Sequence, residues 1–159
     1  NGVAVSGKTN PVSKQTLQRF LGIDALKFAN PVYVNLLTAS PSSDGPDANT
    51  APTVTEWSAS RKPVYNSETT ADAVSATTPY WGGLTLENDM VQISNQRTIG
   101  WDSTDLGSVG TNITVNAVAV FDAETSGNLL YWEELTLSRI VNNGDTFQFG
   151  VDRLKIRED

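Results

Sequence analysis

Carboxylates are the one abundant class of side chain here able to do acid–base or ligand chemistry, because the sequence holds no histidine and no cysteine. Those absences remove the Ser-His-Asp and Cys-His nucleophile designs, the usual zinc ligands, disulfides and the commonest general base near neutral pH. Glycoside hydrolysis by carboxylates needs two of them facing each other, about 5 to 10 Å apart. Glu133 and Glu134 are adjacent on an expected strand, where neighbours point to opposite faces, so they cannot flank one substrate. They read as solvated positions. Asp102 and Asp105 have a spacing that can lend oxygens to calcium in a loop. The surrounding residues lack the fuller acidic pattern of an EF-hand, and loop aspartates serve as turn formers equally well. The expectation is a non-enzyme with no catalytic residue, no cofactor and no metal.

The aromatics offer a different chemistry. Trp57, Tyr80-Trp81, Trp101 and Tyr131-Trp132 carry rings that could stack on sugar faces. Tryptophans in a small all-β domain more often fill the core or an oligomer interface. Tyr80-Trp81, flanked by Pro79 and by Gly82-Gly83, stands out as the exception. Asn112-Ile-Thr114 matches the glycosylation acceptor pattern, but its place in an expected strand argues for chance. Among the charges, 11 Lys and Arg face 18 Asp and Glu, for a net charge of −7. That balance excludes a clustered basic face for nucleic acid and disfavours an anionic membrane. No apolar run approaches the roughly 20 residues of a spanning helix, and no signal-peptide pattern is visible. The sequence opens on Asn1 rather than on methionine, as after processing or where the start is not represented.

The elements that must position these groups are mostly strands. Residues 1–12 read as an extended arm, since Pro11 holds its neighbour out of helical space. A short helix follows: Ser13 can cap it, Leu17, Phe20 and Leu21 recur at helical spacing, and Gly22 stands where a C-cap glycine belongs. From Val32-Tyr-Val-Asn-Leu-Leu37 onward the texture is β. The stretches 40–52 and 66–79 are rich in Ser, Pro, Asp, Thr and Ala and read as long loops within one domain, 13–159. Residues 53–60 alternate around Val54 and Trp57, and Pro63-Val-Tyr65 reads as a short edge strand. Leu84, Leu86, Met90, Val91, Ile93 and Ile99 belong to short strands with polar interleaving. Residues 113–121 become apolar on both faces, as a central strand should. A polar connection containing Gly127 leads to Leu129-Leu-Tyr-Trp132, a pattern continued by Leu135 and Leu137. Asn142-Asn-Gly-Asp145 predicts a twisted hairpin turn. Phe147, Phe149 and Val151 then share one face, and Arg153, Lys155 and Arg157 form the wet face of a last strand. The predicted fold is mainly β, an antiparallel β-sandwich or flattened barrel with one short N-terminal helix and an extended arm.

Two segments also carry a resemblance. Residues 30–41 read Asn-Pro-Val-Tyr-Val-Asn-Leu-Leu-Thr-Ala-Ser-Pro. Residues 117–131, Ala-Val-Ala-Val-Phe-Asp-Ala-Glu-Thr-Ser-Gly-Asn-Leu-Leu-Tyr, lead to Val-Asn-Asn-Gly-Asp-Thr-Phe-Gln-Phe at 141–149. This order resembles a family of small tailed-bacteriophage virion proteins of the tail-fibre-like or minor structural kind. The resemblance implies an accessory virion component without enzymatic activity, on the capsid exterior or on the tail. It covers the helix, the first strand and the last 45 or so residues, and the middle agrees only in texture.

These readings lead to a capsid decoration or cement protein that self-associates, a trimer being the expected order, and binds the major capsid protein. A modest interface repeated over a lattice stabilises a shell by avidity. The competing expectations are a minor tail or fibre-associated subunit that binds other tail subunits, and a carbohydrate-binding module acting through exposed tryptophan. The expected contact residues are Val3, Val5 and Lys8 in the arm, Asp44, Asp47 and Asn49 in the first loop, and Tyr80 and Trp81.

Overall fold

The computed structural model describes residues 3–5, 7–8, 31–42, 53–57, 60–66, 78–88, 90–102, 105 and 112–158. The expected helix over 13–22 and most of both long loops lie outside these residues. Twelve strands are described: β1 (Val3–Val5), β2 (Gly7–Lys8), β3 (Val32–Leu37), β4 (Lys62–Asn66), β5 (Tyr80–Trp81), β6 (Thr85–Glu87), β7 (Met90–Ser94), β8 (Ile99–Trp101), β9 (Ile113–Phe121), β10 (Leu129–Val141), β11 (Phe147–Phe149) and β12 (Leu154–Glu158). They form a six-stranded sheet in the order β2-β10-β9-β3-β4-β5, a four-stranded sheet β1-β12-β7-β6, and a two-stranded pair β11-β8. Among the described residues each sheet has two open edges, so none closes into a barrel. Pairing is antiparallel except for β1 with β12 and β4 with β5, which run parallel.

The core follows from residue alternation. On β9, Val118 and Val120 face one way, joining Val34 and Leu36 of β3, Trp101 of β8, Phe149 of β11 and Leu154 of β12 in one buried cluster. All three sheets contribute to it. Fully burying side chains of this size is worth roughly 1.5–3 kcal/mol each. Ala117, Ala119 and Phe121 face the other way and form a second cluster with Leu37 and Leu129. This explains why β9 reads as apolar on both faces. Trp101 is fully buried and packs edge-on to Phe147 and Phe149, each with ring centroids 6.2 Å away. Its indole N–H donates to the Ser60 carbonyl at 3.1 Å, so the ring is buried without an orphaned donor.

Three local expectations are corrected. The Asn142–Asp145 turn forms, with the Asp145 N–H donating to the Asn142 carbonyl at 3.0 Å. Only Gly144 of its two central residues has a positive φ, +90°, whereas a twisted hairpin turn needs both. The strand that follows pairs with β8 rather than returning along β10, so the turn carries the chain between sheets. Pro63 lies on a strand with neighbours on both sides. The ring is tolerated because β5 flanks only Tyr65 and Asn66 and leaves that side of Pro63 open. Val151, expected to share the apolar face of Phe147 and Phe149, is 53% exposed, because the chain turns again there before β12.

A tight hairpin turn does join β9 to β10. Ser126 and Gly127 adopt positive φ, 56° and 75°, and Asp122 accepts from the Asn128 backbone N–H at 2.6 Å and side-chain amide at 2.7 Å. Local Asx hydrogen bonding of this kind makes Asp and Asn good turn residues.

Candidate interaction surface

The structure places the arm against its own domain. Val3, Ala4 and Val5 pair in parallel with Leu154, Lys155 and Ile156, and Lys8 pairs with Tyr131. Within six residues the chain therefore edges two sheets. Asp44, Asp47 and Asn49 lie outside the described residues. Tyr80 and Trp81 form β5, the outer strand of the large sheet. Trp81 turns inward and is 6% exposed, while half-buried Tyr80 carries the Arg97 guanidinium 4.5 Å above its ring. Trp57 and Trp101 are buried as well. Three of the four tryptophans are thus core residues, and the fourth, Trp132, is half-buried against the second cluster.

The carboxylates are engaged with their own chain. Asp102 and Asp105 each accept the other's backbone N–H, at 3.3 and 3.0 Å, and Asp105 also pairs with Lys62 at 2.5 Å. Exposed Glu134 accepts from the Ser40 hydroxyl, while half-buried Glu133 points to the opposite face. No group of three or more candidate metal ligands occurs among the described residues.

Two polar networks that the sequence gave no reason to single out hold the surface in place. Asn95 is fully buried beside β7. Its amide oxygen accepts from the backbone N–H groups of Arg153 (3.1 Å) and Leu154 (2.8 Å). Its amide nitrogen donates to the carbonyls of Arg97 and Gly150, both at 2.8 Å. One side chain thereby fixes the β11–β12 turn. In the second network Arg61 grips Glu56 with two hydrogen bonds of 2.9 and 2.6 Å and donates to the carbonyls of Ala123 and Ser126. Its guanidinium lies 3.6 Å above the Phe121 ring. Asn35 donates to the same Glu56 carboxylate at 2.6 Å. Burial pushes the Glu56 pKa up, but hydrogen bonds from Arg61 and Asn35 and the Arg61 charge outweigh it and hold the carboxyl below 4.5.

Apart from Val151, the large apolar side chains exposed among the described residues fall in two places. Leu84 and Leu86 are 73% and 72% exposed, and Val91, opposite Leu86 on the β6–β7 hairpin, is 42% exposed. Ile93, two residues along β7, packs against the core with its β12 partner Ile156, so the hairpin continues the inner face of its sheet beyond the cover of the others. The second place is the far half of β10. There six residues of β10, Glu134 to Arg139, span three of β9, Ala117 to Val115. Such a bulge re-aims side chains, and Leu137 and Ile140 stand 79% and 65% exposed. They border a cleft of about 870 Å³ between β10 and β11, whose lining includes Leu135, Phe147, Arg139 and Arg153. Among its described lining residues the one carboxylate is Asp145. Hydrogen bonds from the Asn142 backbone and side chain occupy it and lower its pKa.

Comparison with known families matches residues 7–157 to Podophage GP4 fiber I protein gp80. The chain belongs to this family. The match spans the fold from β2 to β12, so it includes both networks, the hairpin and the cleft. Membership of the fibre family makes the chain a tailed-phage structural protein and a component of the virion, as the resemblance at 30–41 and 117–149 implied. A search of curated proteins found no match.

Proposed function

We propose that this protein is a self-associating fibre subunit carried on the tail of the phage particle, and that it works by binding neighbouring virion proteins rather than by catalysis. The family match over 7–157 carries the reading, since that family is described as a fibre protein. The fold supports it physically. Sheets that share one core, in our reading an open sandwich, present among the described residues strand edges without a partner strand and exposed apolar side chains, both suited to contact with other chains. A chain without histidine or cysteine is poorly equipped for catalysis. The remaining placement, a decoration protein on the capsid exterior, differs in number. A decoration protein is present in hundreds of copies per particle, a fibre subunit in tens at most. Quantitative mass spectrometry of purified particles against the major capsid protein separates them. A copy number in the hundreds, or absence from the particle, overturns the fibre reading.

A further inference from the structure

We propose that Asn143 is a site of spontaneous covalent modification, where the folded chain converts its own side-chain amide to a carboxylate through a cyclic imide closed by the Gly144 backbone nitrogen. This chemistry needs no partner and is independent of the fibre assignment. Ring closure requires a backbone nitrogen that no side chain shields and no hydrogen bond holds, beside a carboxamide free to turn onto it. Asn precedes Gly only at 1–2 and 143–144 of the sequence, and the first pair lies outside the described residues. At the second, Asn143 is exposed in the turn between β10 and β11. Neither its carboxamide nor the Gly144 N–H has a hydrogen-bond partner among the described residues. The turn closes around them, through the Asp145 N–H on the Asn142 carbonyl at 3.0 Å. Gly144 carries no Cβ, and the place one would take is empty to 4 Å.

Other asparagines lack one condition or another. Asn142, one residue earlier, donates its amide to Asp145 at 2.8 Å. Asn128 donates to Asp122 at 2.7 Å, and Asn35 to Glu56 at 2.6 Å. Asn95 is fully buried, with its amide nitrogen on two carbonyls 2.8 Å away. Exposed Asn112 is followed by Ile113, whose branched side chain crowds the nitrogen behind it. In the reaction the deprotonated Gly144 nitrogen attacks Cγ of Asn143. A bond forms between that nitrogen and Cγ, the bond from Cγ to Nδ2 breaks, and Nδ2 leaves as ammonia with a proton taken from water. Water then opens the imide at either carbonyl. Cleavage at Cγ leaves aspartate in the original chain. Cleavage at the main-chain carbonyl leaves isoaspartate, which routes the backbone through the side chain and lengthens the turn by one methylene. Either product adds one negative charge to a chain already at −7, in the turn that carries it between sheets.

The test incubates the full 159-residue chain in mildly alkaline buffer, folded and in urea, and follows the tryptic peptide from Ile140 to Arg153 by mass spectrometry. Fragmentation separates Asn142 from Asn143. In the folded chain the mass gain of an amide-to-acid exchange is expected at Asn143, as aspartate and isoaspartate, severalfold faster than at Asn128 or Asn142. An Asn143 that stays intact in the folded chain while it converts in urea would overturn the proposal, since the fold would then protect the site. Equal conversion at Asn142 or Asn128 would overturn it too, because their held amides would offer no protection. Gly144→Ala, which places a methyl beside the attacking nitrogen, is expected to slow conversion severalfold, and an unchanged rate would remove the glycine from the reaction. Asn143→Gln leaves the glycine in place and demands a larger, slower-closing ring. Its peptide is expected to keep its mass over the same period, and a gain at the wild-type rate would place the chemistry elsewhere.

Discussion

Removing the Asn95 side chain tests whether one buried amide holds the basic wall of the cleft. In Asn95→Ala the backbone bonds of residue 95 to Leu154 and Asp152 survive, since they do not involve the amide. Five side-chain bonds do not. Leu154 is fully buried, so its N–H is left without water or protein partner, at about 1–3 kcal/mol. The Gly150 carbonyl and the Arg153 N–H sit nearer solvent and lose about 1 kcal/mol each. The expected loss is about 3–5 kcal/mol, a fall in Tm of roughly 10–15 °C for a domain this size. Urea unfolding should show a lower midpoint with an unchanged slope, because the surface exposed on unfolding is the same. Gln96→Ala, next door on an exposed side chain, should stay within about 0.5 kcal/mol of wild type. A loss below about 1 kcal/mol for Asn95→Ala would refute the assignment and show that the turn holds itself.

Two further outcomes follow from the same structure. The Glu56 carboxyl is held below its ordinary pKa in the fold, so the unfolded chain binds the extra proton first. The stability it contributes is present above the unfolded value of about 4.3 and is lost as pH falls through the lower folded value. Glu56→Gln should flatten the acid limb of a stability–pH profile below about pH 5, and an unchanged limb would count against the Arg61 grip. Gly127 and Gly144 both hold positive φ, 75° and 90°, but a Cβ at Gly127 would collide with Ala123 and the Asp122 carboxylate, while one at Gly144 meets nothing within 4 Å. Gly144→Ala should lose only the conformational strain, about 1 kcal/mol, and Gly127→Ala clearly more; equal losses by denaturant titration would contradict the packing described for the β9–β10 turn.

The strands were legible wherever a β-branched or aromatic run was long enough to announce itself. Val32–Leu37 and Ile113–Phe121 appear where apolar runs predicted them. Short alternating segments between 84 and 101 also emerge as strands, because alternation is a local property. Pairing is not local. Nothing in Asn-Asn-Gly-Asp says that the strand after it will leave β10 for β8, and nothing in Val3–Val5 says that it will lie parallel to β12. The contact surface was harder still. Leu84, Leu86 and Leu137 have the spacing of core-facing residues, and only the sheet order shows that the face they occupy ends in open water. Tyr80-Trp81 looked exposed because glycines follow it, yet Trp81 points into the core. Arg61 and Asn95 carried no sequence signal, since a polar residue with several partners is indistinguishable in the sequence from one with none.

The parallel pairing of β1 with β12 has a mechanical consequence. Val3 aligns with Leu154 and Val5 with Ile156, so tension entering at Val3 and leaving at Glu158 pulls the two strands along each other's length. Their rungs are then strained together instead of being peeled apart one at a time. A filament component loaded along that axis resists until the whole ladder gives way at once, so the weakest point of the module under traction is not its fraying edge.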